Sequence, residues 1–149
     1  MKAIQTDVYA QMDRYLDARW PNSKKLGQTL YTVFGGQENT GMAQMRRLQN
    51  IVATAVRFYD ITDYVKNQMG KEVGPQPNKQ RYWTAIPNGY NQMTGTLVIE
   101  DLEQLLNTAQ DLAKSDPHLC PYTLAIYLAK GWIRQVMAEY LFQRAIQEG

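Results

Sequence analysis

Thr40-Gly-Met-Ala-Gln-Met-Arg-Arg-Leu-Gln-Asn-Ile-Val-Ala-Thr-Ala-Val-Arg-Phe-Tyr-Asp-Ile-Thr-Asp-Tyr-Val-Lys-Asn-Gln-Met-Gly70 is the stretch whose reading decides the fold. It contains no proline and no glycine between Gly41 and Gly70. Met45, Leu48, Ile51, Val52, Ala55, Val56, Tyr59, Ile61, Tyr64, Val65 and Met69 recur mostly at steps of three and four, the spacing of one buried helix face. Asn39 or Thr40 is suited to cap the start and Gly70 to stop the end. A helix of that length spans roughly 45 Å, longer than a compact domain of this size is wide, so it must protrude or kink. Arg46, Arg47 and Arg57 fall on its other side, opposing a cationic surface to the apolar one.

Working outward, residues 2 to 19 place Ile4, Val8, Met12 and Leu16 four apart, an amphipathic helix ended by Trp20-Pro21-Asn22. Ser23 starts a shorter helix through Leu26, Leu30, Val33 and Phe34, closed by Gly35-Gly36. Residues 71 to 96 break the periodicity. Val73-Gly-Pro-Gln-Pro-Asn-Lys-Gln and Pro87-Asn-Gly-Tyr-Asn read as loops around Tyr82-Trp83, and a connection this long is functional or partly disordered in many small domains. A fourth helix runs from about Leu97 to Lys114, stopped by Asp116-Pro117, with Glu100, Asp101 and Glu103 in its first turn. The fifth starts at Pro121 and ends near Gln147, and Gly131 within it marks close helix contact or a bend. The expectation is an all-α bundle of about five helices in one domain, residues 1–149, with one long central loop at 71–96.

Composition narrows the function classes. The chain has 149 residues, 44% hydrophobic and 20% charged, which suits a folded domain with its own core. A net charge of +2 is too mild to announce a nucleic-acid binder by itself. Distribution says more: six basic residues against one acid lie between Arg19 and Arg57, and five acids against one lysine between Glu100 and Asp116. That segregation predicts a polarised molecule able to associate head to tail. The single cysteine excludes an internal disulfide. With no secretory signal pattern and no run of eighteen apolar residues, the expected setting is cytoplasmic, with no membrane partner.

Catalytic constellations are weak. His118 and Cys120 are the lone histidine and cysteine, two residues apart at a loop, where side chains point away from each other. Cys120 reads best as a small buried hydrophobe. One histidine and one cysteine are too few for a metal site, and no cofactor motif is present: Gly35-Gly36 lacks the Gly-Lys-Ser/Thr of a phosphate loop. Ser23 and Ser115 lie outside any nucleophile-elbow context. The Asp60/Asp63 and Glu100/Asp101/Glu103 carboxylates read as solvated helix charges. The expectation is a protein that is not an enzyme, an unusual helical enzyme using His118 and Cys120 being the remote alternative.

The basic surface offers more. On one continuous helix Arg46, Asn50, Ala53 and Arg57 fall along nearly one line, since offsets of 4, 7 and 11 residues return near the starting azimuth. Two guanidinium groups about 16 Å apart could then meet successive backbone phosphates. Arg47 broadens the strip, and Lys24 and Lys25 extend it from the preceding helix. The plainer reading is a solvated face, with Arg57 paired to Asp60 or Asp63. Tyr82, Trp83 and Tyr90 could stack on bases or anchor a partner protein, the simplest role being to pin the loop to the bundle.

The opening Thr40-Gly-Met-Ala-Gln-Met-Arg-Arg resembles the Thr-x-x-x-Gln-x-Arg helix start of the small all-helical subunit of type III CRISPR–Cas effector complexes, matching at Thr40, Gln44, Arg46 and Arg47. The resemblance implies a non-catalytic subunit, several copies of which stack as an inner filament beside the crRNA-bound backbone and help hold target RNA. The Pro-containing central loop and the lengthy carboxy-terminal helix depart from that pattern. The expectation is a cytoplasmic ribonucleoprotein subunit that contacts RNA backbone through Arg46, Arg47, Asn50, Arg57, Lys24 and Lys25, alongside other subunits and copies of itself. The competing reading is a helical protein–protein interaction module or homo-oligomer with no nucleic-acid role.

Overall fold

The computed structural model describes residues 2–75 and 80–149, with the side chains of the first helix described from Asp7 onward. Ile4 of the first apolar ladder and residues 76–79 of the expected loop lie outside the described side chains and residues. Six helices follow one another: α1 (Lys2–Ala18), α2 (Trp20–Phe34), α3 (Gly41–Thr54), α4 (Phe58–Glu72), α5 (Thr94–Ala113) and α6 (Pro121–Glu148). No strand occurs among the described residues. The all-α expectation holds, with one helix more than the periodicity predicts.

The additional helix comes from the deciding stretch. It breaks at Ala55 and Arg57, both extended at ψ 132° and 134°, and resumes at Phe58. No glycine or proline forces the break. One straight helix would carry Phe58, Ile61 and Val65 beyond the core, whereas the turn folds α4 back beside α3 and against α5 and α6. There Phe58, Ile61 and Val65 are fully buried. Burying three such side chains is worth roughly 1.5–3 kcal/mol each, more than the helical hydrogen bonds given up at about 1 kcal/mol apiece. Val56, at the corner, is left 85% exposed.

α6 is the axis of the bundle. It packs against every one of the other five helices. Leu124, Leu128, Trp132, Val136 and Tyr140, with Ala125 and Ala129 between, are buried along it. Glycines set the closest crossings. A Cβ at Gly27 of α2 would stand 2.7 Å from the Val136 carbonyl oxygen, and one at Gly131 would stand 2.4 Å from Cδ1 of Leu16. The close contact predicted at Gly131 is thus with α1.

Other boundaries shift for local reasons. Trp20-Pro21-Asn22 opens α2 rather than following α1 as a separate loop, with Pro21 in the first turn where its missing N–H costs nothing. α5 starts at Thr94, so Glu100 to Glu103 lie beyond the first turn. Its start is tied to the preceding segment: Thr94 donates to the Ala85 carbonyl through both N–H and Oγ1 at 2.8 Å, and the Gly95 N–H donates to Trp83 at 2.7 Å.

The segment from Gln80 to Met93 is built rather than loose. The buried Glu72 carboxylate, at the end of α4, accepts the backbone N–H groups of Tyr82, Trp83 and Thr84 at 2.9–3.0 Å and the Thr84 hydroxyl at 2.9 Å. Trp83 is fully buried edge-on against Phe34 and Tyr64.

Candidate nucleic-acid interface

α3 exposes one face because Met42, Met45, Leu48 and Val52 bury the other. Arg46, Arg47, Gln49, Asn50 and Ala53 line a shallow open concavity on the outward side. Two guanidinium forks and two amides border a floor of one methyl group, so the wall is rich in donors suited to phosphate oxygens. Arg46, 59% exposed, pairs with Glu38 at 3.2 Å, and Glu38 also holds Arg144 of α6 at 3.3 Å. Exposed pairs of this kind contribute about 0–1 kcal/mol, so an anionic ligand can replace Glu38 at small cost. Arg47 forms no ion pair among the described residues. It lies near Tyr64, whose pKa burial raises and the Arg47 charge lowers.

The remaining sequence-predicted residues divide between other surfaces. Arg57 sits in the break before α4, so the line Arg46–Asn50–Ala53–Arg57 does not exist on one helix. It lines a different groove with Val56, Phe58, Tyr59, Cys120, Tyr122 and Ile126. The expected pairing of Arg57 with Asp60 or Asp63 is not formed among the described residues. Lys24 lies over the Trp20 ring at 5.2 Å and Lys25 over the Tyr90 ring at 5.8 Å. Lys25 also lines a cavity that includes Glu100, Asp101 and Gln104.

That cavity corrects the expectation of a polarised molecule. The buried Arg19 guanidinium pairs with Asp101 at 3.3 Å, and Asp101 accepts the Trp132 indole N–H at 3.0 Å. Basic and acidic regions distant along the chain therefore meet across α2 and α5.

Of the three aromatics, Tyr82 and Trp83 are buried and fasten the 80–93 segment to the bundle, the simplest of the roles considered for them. They present no platform for a base. Tyr90 is half-buried, its hydroxyl 3.3 Å from Oγ1 of Thr29. Gln44, one of the four residues carrying the resemblance, accepts the Trp83 indole N–H at 3.0 Å and so faces the segment rather than solvent.

Cys120 is exposed rather than buried, because it stands just before α6 instead of within it. Its thiol pKa is lowered by the first-turn backbone of Thr123, then by the Thr123 hydroxyl and the Tyr122 backbone. His118 is exposed, its backbone N–H donating to Asp116 Oδ1 at 2.9 Å, and it is not among the groups that lower the Cys120 pKa. No group of three or more potential metal ligands occurs among the described residues, and no described helix is long and apolar enough to cross a membrane.

Sequence reasoning missed Glu72, Arg19 and Asp101. Each reads in the sequence as an ordinary helix charge, and only the packing of distant segments encloses it. Compared with protein-family models, curated proteins and solved structures, the chain matches none.

Proposed function

We propose that this chain is a non-catalytic helical subunit of a cytoplasmic ribonucleoprotein assembly, of the type III CRISPR–Cas kind that the start of α3 resembles. It contacts nucleic-acid backbone and neighbouring subunits. The observation that supports this reading is the outward face of α3, where Arg46, Arg47 and Asn50 stand together around Ala53, Arg47 outside any ion pair among the described residues and Arg46 in an exposed pair with Glu38 that a phosphate can replace. Backbone contacts carry no sequence information, so specificity would belong to the assembly. Arg57, Lys24 and Lys25 stand on other surfaces and are left out of the interface.

Single-stranded RNA binding followed by fluorescence anisotropy across a salt series tests the reading. Affinity is expected to fall linearly with salt on logarithmic axes, and Arg46→Ala and Arg47→Ala to reduce the slope by about 0.7 each. Arg57→Ala should leave the slope unchanged. No retention at low salt, or slopes unmoved by both arginine variants, would overturn it.

A second reading, an interaction module with no nucleic-acid role, is favoured by the apolar groove at Val56, Tyr59, Tyr122 and Ile126. Absence of RNA binding together with stable association with another protein would establish that alternative.

A further inference from the structure

The carboxy-terminal half of α6 has two apolar faces. Val136, Met137 and Tyr140 are buried in the core. Ala138, Leu141, Phe142, Ala145 and Ile146 are all exposed, with Leu141 at 43%, Phe142 at 56% and Ile146 at 57%. Steps of three, one, three and one place those five on a single stripe about 140° wide. No charged side chain interrupts it between Arg134 and Arg144, which lies to its side. A helix of a monomer that had to face only water there would carry polar residues at these positions.

We propose that this stripe is the docking surface for a second copy of the chain, the two α6 helices running antiparallel about a two-fold axis between Leu141 and Phe142. The stripe is complementary to itself under that operation. Leu141 and Phe142 of both copies come level and form a central layer of four large side chains. Ala138 comes level with Ala145 of the other copy on each side, so small residues meet small ones and the helices can approach closely.

The flanking charges agree with the same register. Arg134 continues the stripe one turn before Ala138. The two-fold brings it within about one residue rise, 1.5 Å along the axis, of Glu148 of the other copy, on the same edge of the seam. The hydroxyl of Tyr31 donates to Glu148 and fixes its carboxylate. The contact occurs twice in the pair. Parallel pairing would instead set each Arg134 beside its own equivalent and lose it.

A seam of one helix pair falls below the roughly 1,200 Å² of standard stable interfaces, so the dimer is expected to be a micromolar, reversible one. It is isologous and closed, unlike the head-to-tail association inferred from charge along the sequence. It goes beyond the nucleic-acid reading and does not rest on it.

Sedimentation velocity of the purified chain without nucleic acid, over a concentration series spanning the micromolar range, should show a reversible monomer–dimer equilibrium. Phe142→Glu is expected to raise the dissociation constant about tenfold or more, with an unchanged circular dichroism spectrum because the side chain is exposed in the monomer. Arg134→Glu should weaken the dimer, and Arg134→Glu with Glu148→Arg together should restore it.

Orientation is read by disulfide trapping in a Cys120→Ser background. A mixture of Ala138→Cys and Ala145→Cys chains should cross-link, and each chain alone should not. A monomer at every concentration would overturn the proposal. So would open-ended growth, or dimerisation lost with Tyr122→Glu and retained with Phe142→Glu, or cross-linking of Ala138→Cys chains alone.

Discussion

The indole Nε1 of Trp83 donates to Oε1 of Gln44 at 3.0 Å, joining a segment that lacks helix to the helix that carries the candidate interface. Replacing Gln44 by alanine leaves a buried indole N–H without its partner, at an expected cost of about 1–3 kcal/mol. Trp83→Ala opens a cavity and should cost about 3–5 kcal/mol. Urea unfolding followed by circular dichroism measures both. If Gln44 instead served RNA directly, Gln44→Ala would lower affinity at full stability.

Glu72 holds the same segment from the other end. Its carboxylate accepts three backbone N–H groups and one hydroxyl, and it is buried. Glu72→Gln keeps the shape but turns one acceptor into a donor facing N–H groups, so at least one backbone donor loses its partner. A loss of about 2 kcal/mol is expected. Hydrogen exchange should show the amides of Tyr82, Trp83 and Thr84 losing protection in the variant before the α6 amides do.

The buried Arg19 pairs with the half-buried Asp101, whose carboxylate also receives the Trp132 indole. Removing the cation leaves Asp101 without its ion-pair partner at a site only partly open to water. Arg19→Ala is expected to cost about 1–3 kcal/mol. Arg19→Ala with Asp101→Asn should recover part of that loss, because the amide oxygen still accepts the indole N–H. Thermal melts of the single and double variants decide the point.

Gly27 separates α2 from α6 by a distance only glycine permits. A Cβ there meets the Val136 carbonyl oxygen at 2.7 Å and the Glu139 Cβ at 2.8 Å, neither of which can swing aside. Gly27→Ala should therefore destabilise by about 1–3 kcal/mol despite alanine's better helix propensity. At Gly131 the obstacle is the far end of the Leu16 side chain, which can rotate. Gly131→Ala is expected to be the milder change in the same urea titration.

Cys120 gives the pH prediction. The first-turn backbone of Thr123 favours the thiolate and lowers the thiol pKa in the folded chain. Iodoacetamide alkylation should therefore reach half its plateau rate at a lower pH in the folded chain than in urea. Linkage fixes the sign for stability: the contribution is present above the unfolded pKa and is lost as pH falls through the folded one. A folded-state midpoint at or above the unfolded one would refute it.

Much of the bundle was legible along the chain. Periodic apolar residues marked the helices, Pro121 marked the start of α6, and Gly131 marked a close contact, because these signals act within a few turns. The break at Ala55–Arg57 was not legible, since no residue there opposes helix. It arises because Phe58, Ile61 and Val65 gain more from returning to the core than three residues lose by leaving the helix. That break also removed Arg57 from the arginine line, which had assumed one unbroken cylinder.

Sequence alone determined that this chain is helical and which faces of its helices are apolar, because periodicity is a local property of residues three and four apart. It also placed Arg46, Arg47 and Asn50 on an outward face, since their helix is continuous from Gly41 to Thr54. The tertiary structure decided which charges are paired, which aromatics are covered and which apolar stripe stays open. Arg19 reaches Asp101, Glu72 reaches Trp83, and Phe142 stays more than half exposed, because those outcomes depend on which residues far apart in sequence meet across a packed core.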